Sequence, residues 1–294
     1  MKIGIIGLGA VGSASAFLLA SKKIANSLFF YDVNKDLANA QKIDLEDAIF
    51  DVKINVVDDV SAMLECDLIL FAFSALICAN RVDELRANYD ICKEICPKLS
   101  NFKGIILIAT NPNDSIVFYA QKLSKLNPKK IFGTGTSLDT QRLRAILSLK
   151  LNISANNINA YMLAEHGDTM FFAQSISTIL NKNIKDFFID NNLEYDYLAI
   201  EKEVITRGAD IFKVKNKTEY GISSTILRII SCIKNDEKKI FPLSVVEENL
   251  AYSYTYLLGK DGIDRKISLN LNEDDLIKLA KSKSYILKVI NSIN

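Results

Sequence analysis

The sequence predicts an α/β protein: a doubly wound parallel sheet over residues 1–134, followed by an α+β domain over residues 135–294. Two observations carry this reading. Through the first half, short apolar runs alternate with longer amphipathic stretches, the rhythm of a parallel sheet covered by helices on both faces. After about residue 134 that rhythm gives way to long charged helices and then to alternating strands.

In order, the first half offers strands at Lys2–Ile6, Leu28–Asp32, Lys53–Val57, Leu68–Phe73, Ile105–Ala109 and Ile131–Phe132. Helical stretches lie between them at Gly12–Lys22, Lys35–Ala48, Val82–Leu99 and Asp114–Leu126. Six such strands with helical crossovers wind a sheet whose ligands sit beyond the strands' carboxyl ends. The second half predicts a helix at Thr136–Lys150, a strand at Ile158–Ala164 and an apolar run at Phe171–Leu180. Helices at Tyr195–Phe212 and Gly221–Ile233 follow, then strands at Ile240–Val246, "AYSYTYLL" and "KISLNL". The closing segment "NEDDLIKLAKSKSYILKVINSI" has an Asn cap, acids in its first turn and spaced apolar residues, and predicts an amphipathic helix. No Pro- or Ser-rich linker divides the halves.

Composition narrows the function. The 36 Lys+Arg against 35 Asp+Glu leave a net charge of +1, which gives no pull toward nucleic acid or an anionic membrane. The longest apolar stretch, Leu68 to Ala79, has about a dozen residues and is too short to span a bilayer. The N-terminus opens directly into "KIGIIGLG", so no signal peptide is expected. Five cysteines, an odd number, read as reduced thiols of a cytoplasmic protein. With one histidine and no CxxC pair, no metal site is expected.

Gly7, Gly9 and Gly12 form G-x-G-x-x-G directly after the first predicted strand. The first glycine permits a tight turn, and the second lets the backbone approach a pyrophosphate. The third brings the helix close to the strand, with its N–H groups facing the phosphates. Asp32 ends the next strand, 20 residues beyond Gly12. A carboxylate there accepts from both ribose hydroxyls and repels a 2′-phosphate, which favours NAD over NADP. This is a Rossmann arrangement, with the turn Gly7, Gly9, Ala10, Val11 and Gly12 as its cofactor-binding segment; glycines serving only a tight turn are the alternative. Further on, "GTGTSLDTQRLR" puts Asp139 and Arg142 three apart on one helical face. They form either a solvated ion pair or a diverging couple, with Asp139 toward a histidine and Arg142 toward a substrate. "LAEHGD" holds His166, the only histidine of the chain, either a packed residue or its one proton-transfer group tuned near neutral pH.

Taken together, "GLGAVGSASAFLL", "YD" at 31–32, "ATNPND" at 109–114, "GTGTSLDTQRLR", "AEHGD", "KTEYGISS" and "LLGKDGI" resemble the lactate/malate dehydrogenase family over nearly the whole chain. The wording is closest to the L-lactate and L-2-hydroxyisocaproate branches. The resemblance implies an NAD-dependent L-2-hydroxyacid dehydrogenase that reduces a 2-keto acid reversibly. His166 would be the proton donor and acceptor, Asp139 would orient it, and Arg142 would grip the substrate carboxylate with two parallel hydrogen bonds. Asn111 would stand near the nicotinamide and the reacting oxygen, and Thr218 beside the substrate side chain. Arg81 would polarise the carbonyl when a lid closes. A homodimer or homotetramer is the family expectation.

Three departures qualify the resemblance. The lid region carries Ala75, Leu76 and Ile77, with no Gly or Pro between Phe73 and Arg81 and nothing there to pair with a second carboxylate. That disfavours malate dehydrogenase, the runner-up enzyme, and suits an aliphatic 2-keto acid, with pyruvate still open. The usual glycine before "EHG" is Ala164, read as a mild change. Arg144 matches one member of a basic pair that binds fructose 1,6-bisphosphate in some bacterial relatives. Asn159 stands where the second would be, so no such activation is expected. A catalytically poor NAD-binding regulatory protein is the alternative from another class.

Overall fold

The computed structural model describes residues 1–49, 51–75 and 81–293. Runs of Ile, Leu, Val and Phe form β1 (Lys2–Ile6), β2 (Ser27–Tyr31), β3 (Lys53–Val56), β4 (Leu68–Phe71), β5 (Ile105–Ile108) and β6 (Ile131–Gly133). They pair in parallel in the order β3-β2-β1-β4-β5-β6. The central strands β4 and β5 are buried along their whole length, as strands covered on both faces must be. The crossovers run through α1 (Ala10–Ser21), α2 (Lys35–Ala48), α3 (Arg81–Ile95) and α4 (Asn113–Ser124). Asn34 caps α2 by accepting from Leu37 N at 3.0 Å. The strand order reverses beside β1, so a crevice opens at the carboxyl ends of β1 and β4.

The helix predicted over Val82–Leu99 ends earlier. It stops at Ile95, and Pro97, which cannot donate to the preceding turn, opens a short 3-10 turn instead.

The second half begins with α5 (Ser137–Leu151), then β7 (Ile158–Asn159), β8 (Met162–Leu163), β9 (Phe171–Phe172), β10 (Thr178–Ile179) and β11 (Lys182–Asn183). Next come α6 (Ile184–Asp190), α7 (Tyr197–Lys215), α8 (Tyr220–Asn235), β12 (Lys239–Glu247), β13 (Leu250–Gly259), β14 (Gly262–Lys266) and α9 (Glu273–Asn291). The strands β12, β13 and β14 do not form a sheet of their own. β12 lies antiparallel to β6 through the pair Ser244 and Gly133, so among the described residues one nine-stranded sheet runs through both halves. The apolar core follows it: Phe71 and Phe132 of the first half share one cluster with Ile226, Ile229, Leu243 and Ile290 of the second. A smaller cluster under α5 and α7 joins Leu143, Leu147, Phe188 and Val204.

Two predicted strands are corrected. Ile158–Ala164 is two short strands with different partners, β7 on β10 and β8 on β9, because the chain bends between them. The segment "KISLNL" is not a strand beyond Lys266. The two-residue turn at Lys260 and Asp261 sets the hairpin so that pairing begins at Gly262, and Ile267 N makes one last bond to Thr255 O at 2.8 Å. Asn272 then caps α9 by accepting from Asp275 N.

Candidate active site

The turns after β5 and β6 and the loop after β8 meet at the carboxyl edge of the sheet. Buried Asn113 joins the first two, donating to Ile108 O at 2.9 Å and accepting from Gly135 N at 3.0 Å. Thr136 donates its hydroxyl to Met162 O at 2.6 Å, and Met162 N donates to the Thr140 hydroxyl at 2.9 Å. These bonds tie the first turn of α5 to β8 and so place Asp139 under the loop that carries His166.

Asp139 is fully buried, and its two oxygens serve two partners. Oδ2 meets His166 Nδ1 at 2.6 Å, and Oδ1 accepts from Arg142 Nη1 at 2.9 Å. Neither sequence reading of the Asp139–Arg142 spacing describes this alone: the ion pair exists, but it is buried, and its acid also holds the imidazole. Burial by itself would push the Asp139 carboxyl up; His166 and Arg142 outweigh it and hold it below the ordinary carboxylate value. Burial works against the His166 cation, and Asp139 overcomes that too, raising the imidazole above its ordinary value. His166 keeps 21 % of its side chain exposed and Arg142 13 %, so both stay open to a small molecule. Nε2 of His166 has no hydrogen-bond partner among the described residues.

Arg81, at the start of α3, lines the same cleft as His166. Its Nη1 donates to Glu84 Oε2 at 3.1 Å. Asn111 follows β5, and its main-chain oxygen accepts from Asn88 Nδ2 at 2.7 Å. Thr218 stands half-buried between α7 and α8. No hydrogen bond among the described residues joins the side chains of Asn111 or Thr218 to the His166 cluster. Of the apolar lid positions, Ala75 is exposed and its N–H donates to Asn88 Oδ1 at 2.8 Å. Leu76 and Ile77 lie outside the described residues.

Three further residues were not singled out in the sequence. Asp114, third after Asn111, accepts from His166 N at 2.7 Å and from the Ser244 hydroxyl at 2.6 Å. Its burial pushes the carboxyl up to about 6 against those two bonds. Asn88 bridges Ala75 and Asn111. Glu84 is the buried partner of Arg81, and burial raises its carboxyl although Arg81 and His166 oppose the rise. An Asp inside "NPND" could have been noticed; nothing local marks Asn88 or Glu84, whose roles come from packing.

At the carboxyl end of β1, the glycine turn has its own fit to a dinucleotide. Gly7 has φ +92°, and a Cβ there would meet the backbone of Phe73 at 2.5 Å. A Cβ on Gly12 would stand 1.9 Å from Gly7 O. Both glycines are demanded by the protein's own packing. Gly9 is not: its backbone is extended, and a Cβ there would meet no atom within 4 Å. It faces open space at the N-terminus of α1, where Ala10 and Val11 present helix-end N–H groups, as a pyrophosphate would require. Asp32, one residue past β2, is pinned by Leu8 N at 2.7 Å and Asn34 N at 2.9 Å. The donor set and the empty flank of Gly9 fit the adenosine diphosphate portion of NAD.

Comparison with known proteins finds relatives over the whole chain. Residues 1–133 match the model for the NAD-binding domain of lactate/malate dehydrogenases, and residues 136–294 match that for their alpha/beta C-terminal domain. The chain is 35% identical to L-lactate dehydrogenase 2 of Listeria monocytogenes over 99% of both proteins. Among solved structures, a lactate dehydrogenase from a Medee basin deep-sea metagenome superposes with a TM-score of 0.94 at 28% identity, covering 99% of this chain and 98% of the other. The minor L-lactate dehydrogenase of Enterococcus mundtii gives a TM-score of 0.94 at 27% identity, covering 100% and 98%. A glycine turn whose backbone fits a dinucleotide and an imidazole steadied by a buried acid thus sit on a chain matched end to end: the protein belongs to the lactate/malate dehydrogenase family.

Proposed function

We propose that this chain is an NAD-dependent L-2-hydroxyacid dehydrogenase of the lactate type, interconverting a 2-keto acid and the corresponding L-2-hydroxy acid. The observation that carries this is the buried Asp139 carboxylate, bonded at once to the imidazole and to the guanidinium. Asp139 fixes the His166 tautomer, leaving Nε2 to give its proton to the keto oxygen in reduction and to take it back in oxidation. The raised imidazole pKa keeps that proton available near neutrality. Arg142 has one N–H committed to Asp139 and others left to grip the substrate carboxylate. That commitment fixes where the guanidinium points before substrate arrives.

Arg81 donates to the reacting carbonyl, and Asn111 holds the nicotinamide and that oxygen. Thr218 borders the substrate side chain. Gly7, Gly9, Ala10, Val11 and Gly12 cradle the pyrophosphate, and Asp32 takes the ribose hydroxyls. When bound, reduced NAD supplies the hydride that the keto carbon receives. The apolar run Ala75 to Ile77 favours an aliphatic 2-keto acid over oxaloacetate, whose second carboxylate would lack a cationic partner there. A homodimer or homotetramer belongs to the same reading.

Following NADH consumption with pyruvate, 2-ketoisocaproate, phenylpyruvate and oxaloacetate tests the proposal. Turnover with the aliphatic acids is expected. Turnover with oxaloacetate alone would reverse the substrate assignment, and none with any acid would leave only a dinucleotide-binding protein.

A further inference from the structure

We propose that Glu84 is the positioning acid of Arg81, holding its guanidinium in the cleft as Asp139 holds the imidazole. The inference rests on the role given to Arg81 above. Two ion pairs in the same helix turn show why Glu84 is unusual. Arg86 and Asp83 are 3.6 Å apart with both side chains half-exposed, a geometry that fixes nothing. Arg81 and Glu84 are 3.1 Å apart, and Glu84 is only 7 % exposed against 34 % for Arg81. Burying a carboxylate costs desolvation free energy. The first turn of α3 does not need it, because exposed Asp83 already complements the helix N-terminus. The burial therefore has to be explained by what Glu84 faces.

It faces the cleft's cations. Arg81 donates to it from its own helix at 3.1 Å, and positive charge on His166 adds to Arg81 in opposing the rise of its carboxyl. Asp114, at the start of the α4 helix packed on α3, lines the same cleft from the other side. One N–H of Arg81 is spent on Glu84; the other donors of the rigid fork are thereby turned to a fixed direction beside His166. A guanidinium free to swing on its long stem would reach the carbonyl in only a fraction of encounters, and small misplacements cost turnover steeply.

The test compares Glu84→Leu, Glu84→Gln and Arg81→Ala in the full-length enzyme, measuring kcat, KM for the best keto acid, NADH affinity and Tm. Leu fills the buried space, so Tm and NADH affinity should hold while kcat falls about 30-fold and KM moves less than about threefold. Glu84→Gln keeps an acceptor for the guanidinium and should recover most of that loss; it also decides the matter alone if the Leu variant does not fold, with kcat down a few-fold at unchanged KM. Wild-type kcat in both Glu84 variants, beside an inactive Arg81→Ala, would overturn the role of Glu84 and leave Arg81 catalytic. Full activity in Arg81→Ala would remove both. A kcat loss that merely follows Tm, with Gln no better than Leu, would also overturn the proposal.

Discussion

In the glycine turn, the bonds made by Gly7, Leu8 and Asp32 lie inside one β-α-β unit. Gly7 N donates to Tyr31 O at 2.9 Å, and Leu8 N to the Asp32 carboxylate at 2.7 Å. Around His166 the bonds come from far away in the chain. Its N–H reaches Asp114, 52 residues earlier, and its ring reaches Asp139, 27 residues earlier. The first region takes most of its shape from one small segment, with a distant bond from the Ser223 hydroxyl to Val11 O at 3.4 Å, whereas the second exists only when β5, β6, β8 and β12 are all in register. The two regions use different bonding partners, so binding of the dinucleotide and chemistry on the substrate should be separable by mutation.

The largest effect tests that separation directly. His166→Asn should lower kcat for keto-acid reduction by about a thousandfold or more, because it removes the imidazole Nε2 to which the proton is assigned. NADH affinity, measured by fluorescence titration, should stay within about twofold of wild type. Retained turnover would mean that the proton arrives from elsewhere. A loss of NADH affinity as large as the loss of turnover would mean that the two regions are not independent. The mirror experiment lies in the turn. Gly9→Val starts its side chain at a Cβ that meets no atom within 4 Å, so Tm should change little while the KM for NADH rises roughly 10- to 100-fold, a loss of about 1.4 to 2.7 kcal/mol. Gly12→Ala drives a Cβ into Gly7 O and should instead destabilise the fold, by about 2 kcal/mol in urea unfolding. Equal Tm losses at both glycines would show that Gly9, too, serves packing alone.

The same contrast explains what could be read from the sequence. The strands and helices of the first half were legible to within a few residues because their signals are local: apolar runs, amphipathic stretches and a glycine turn. His166, Asp139 and Arg142 could be nominated by residue type and family motif. That one buried carboxylate serves both of the others could not be read, because it depends on Thr136 and Thr140 clasping Met162. Glu84 illustrates the limit most clearly: at i,i+3 from an arginine it reads as a surface pair, and only the packing of α3 makes it a buried one. The continuation of the sheet into β12 was hidden for a similar reason, since it hangs on a single pair between Gly133 and Ser244, more than a hundred residues apart.

Ala164 is where the local reading and the assembled site disagree, and it gives the smallest and sharpest prediction. From sequence, alanine in place of the family's glycine reads as a mild change. The backbone there has φ +76°, in the left-handed region that favours glycine. It is held there by two bonds with β13, Ala164 N to Ser253 O at 2.9 Å and Ser253 N to Ala164 O at 2.8 Å. Those bonds aim the following residues, Glu165 and His166, into the cleft, so the strain cannot relax without moving the imidazole. An L-residue in such a conformation costs about 1–2 kcal/mol. Ala164→Gly removes that cost but returns freedom to the unfolded chain, which offsets about 0.4–1 kcal/mol. The variant should therefore be more stable by about 0.5–1 kcal/mol, seen as a higher urea midpoint with the same slope. Because the bonds to Ser253 persist, kcat should not change. A variant less stable than wild type would show that the turn is not strained, and a changed kcat would show that alanine's stiffness itself holds His166 in place.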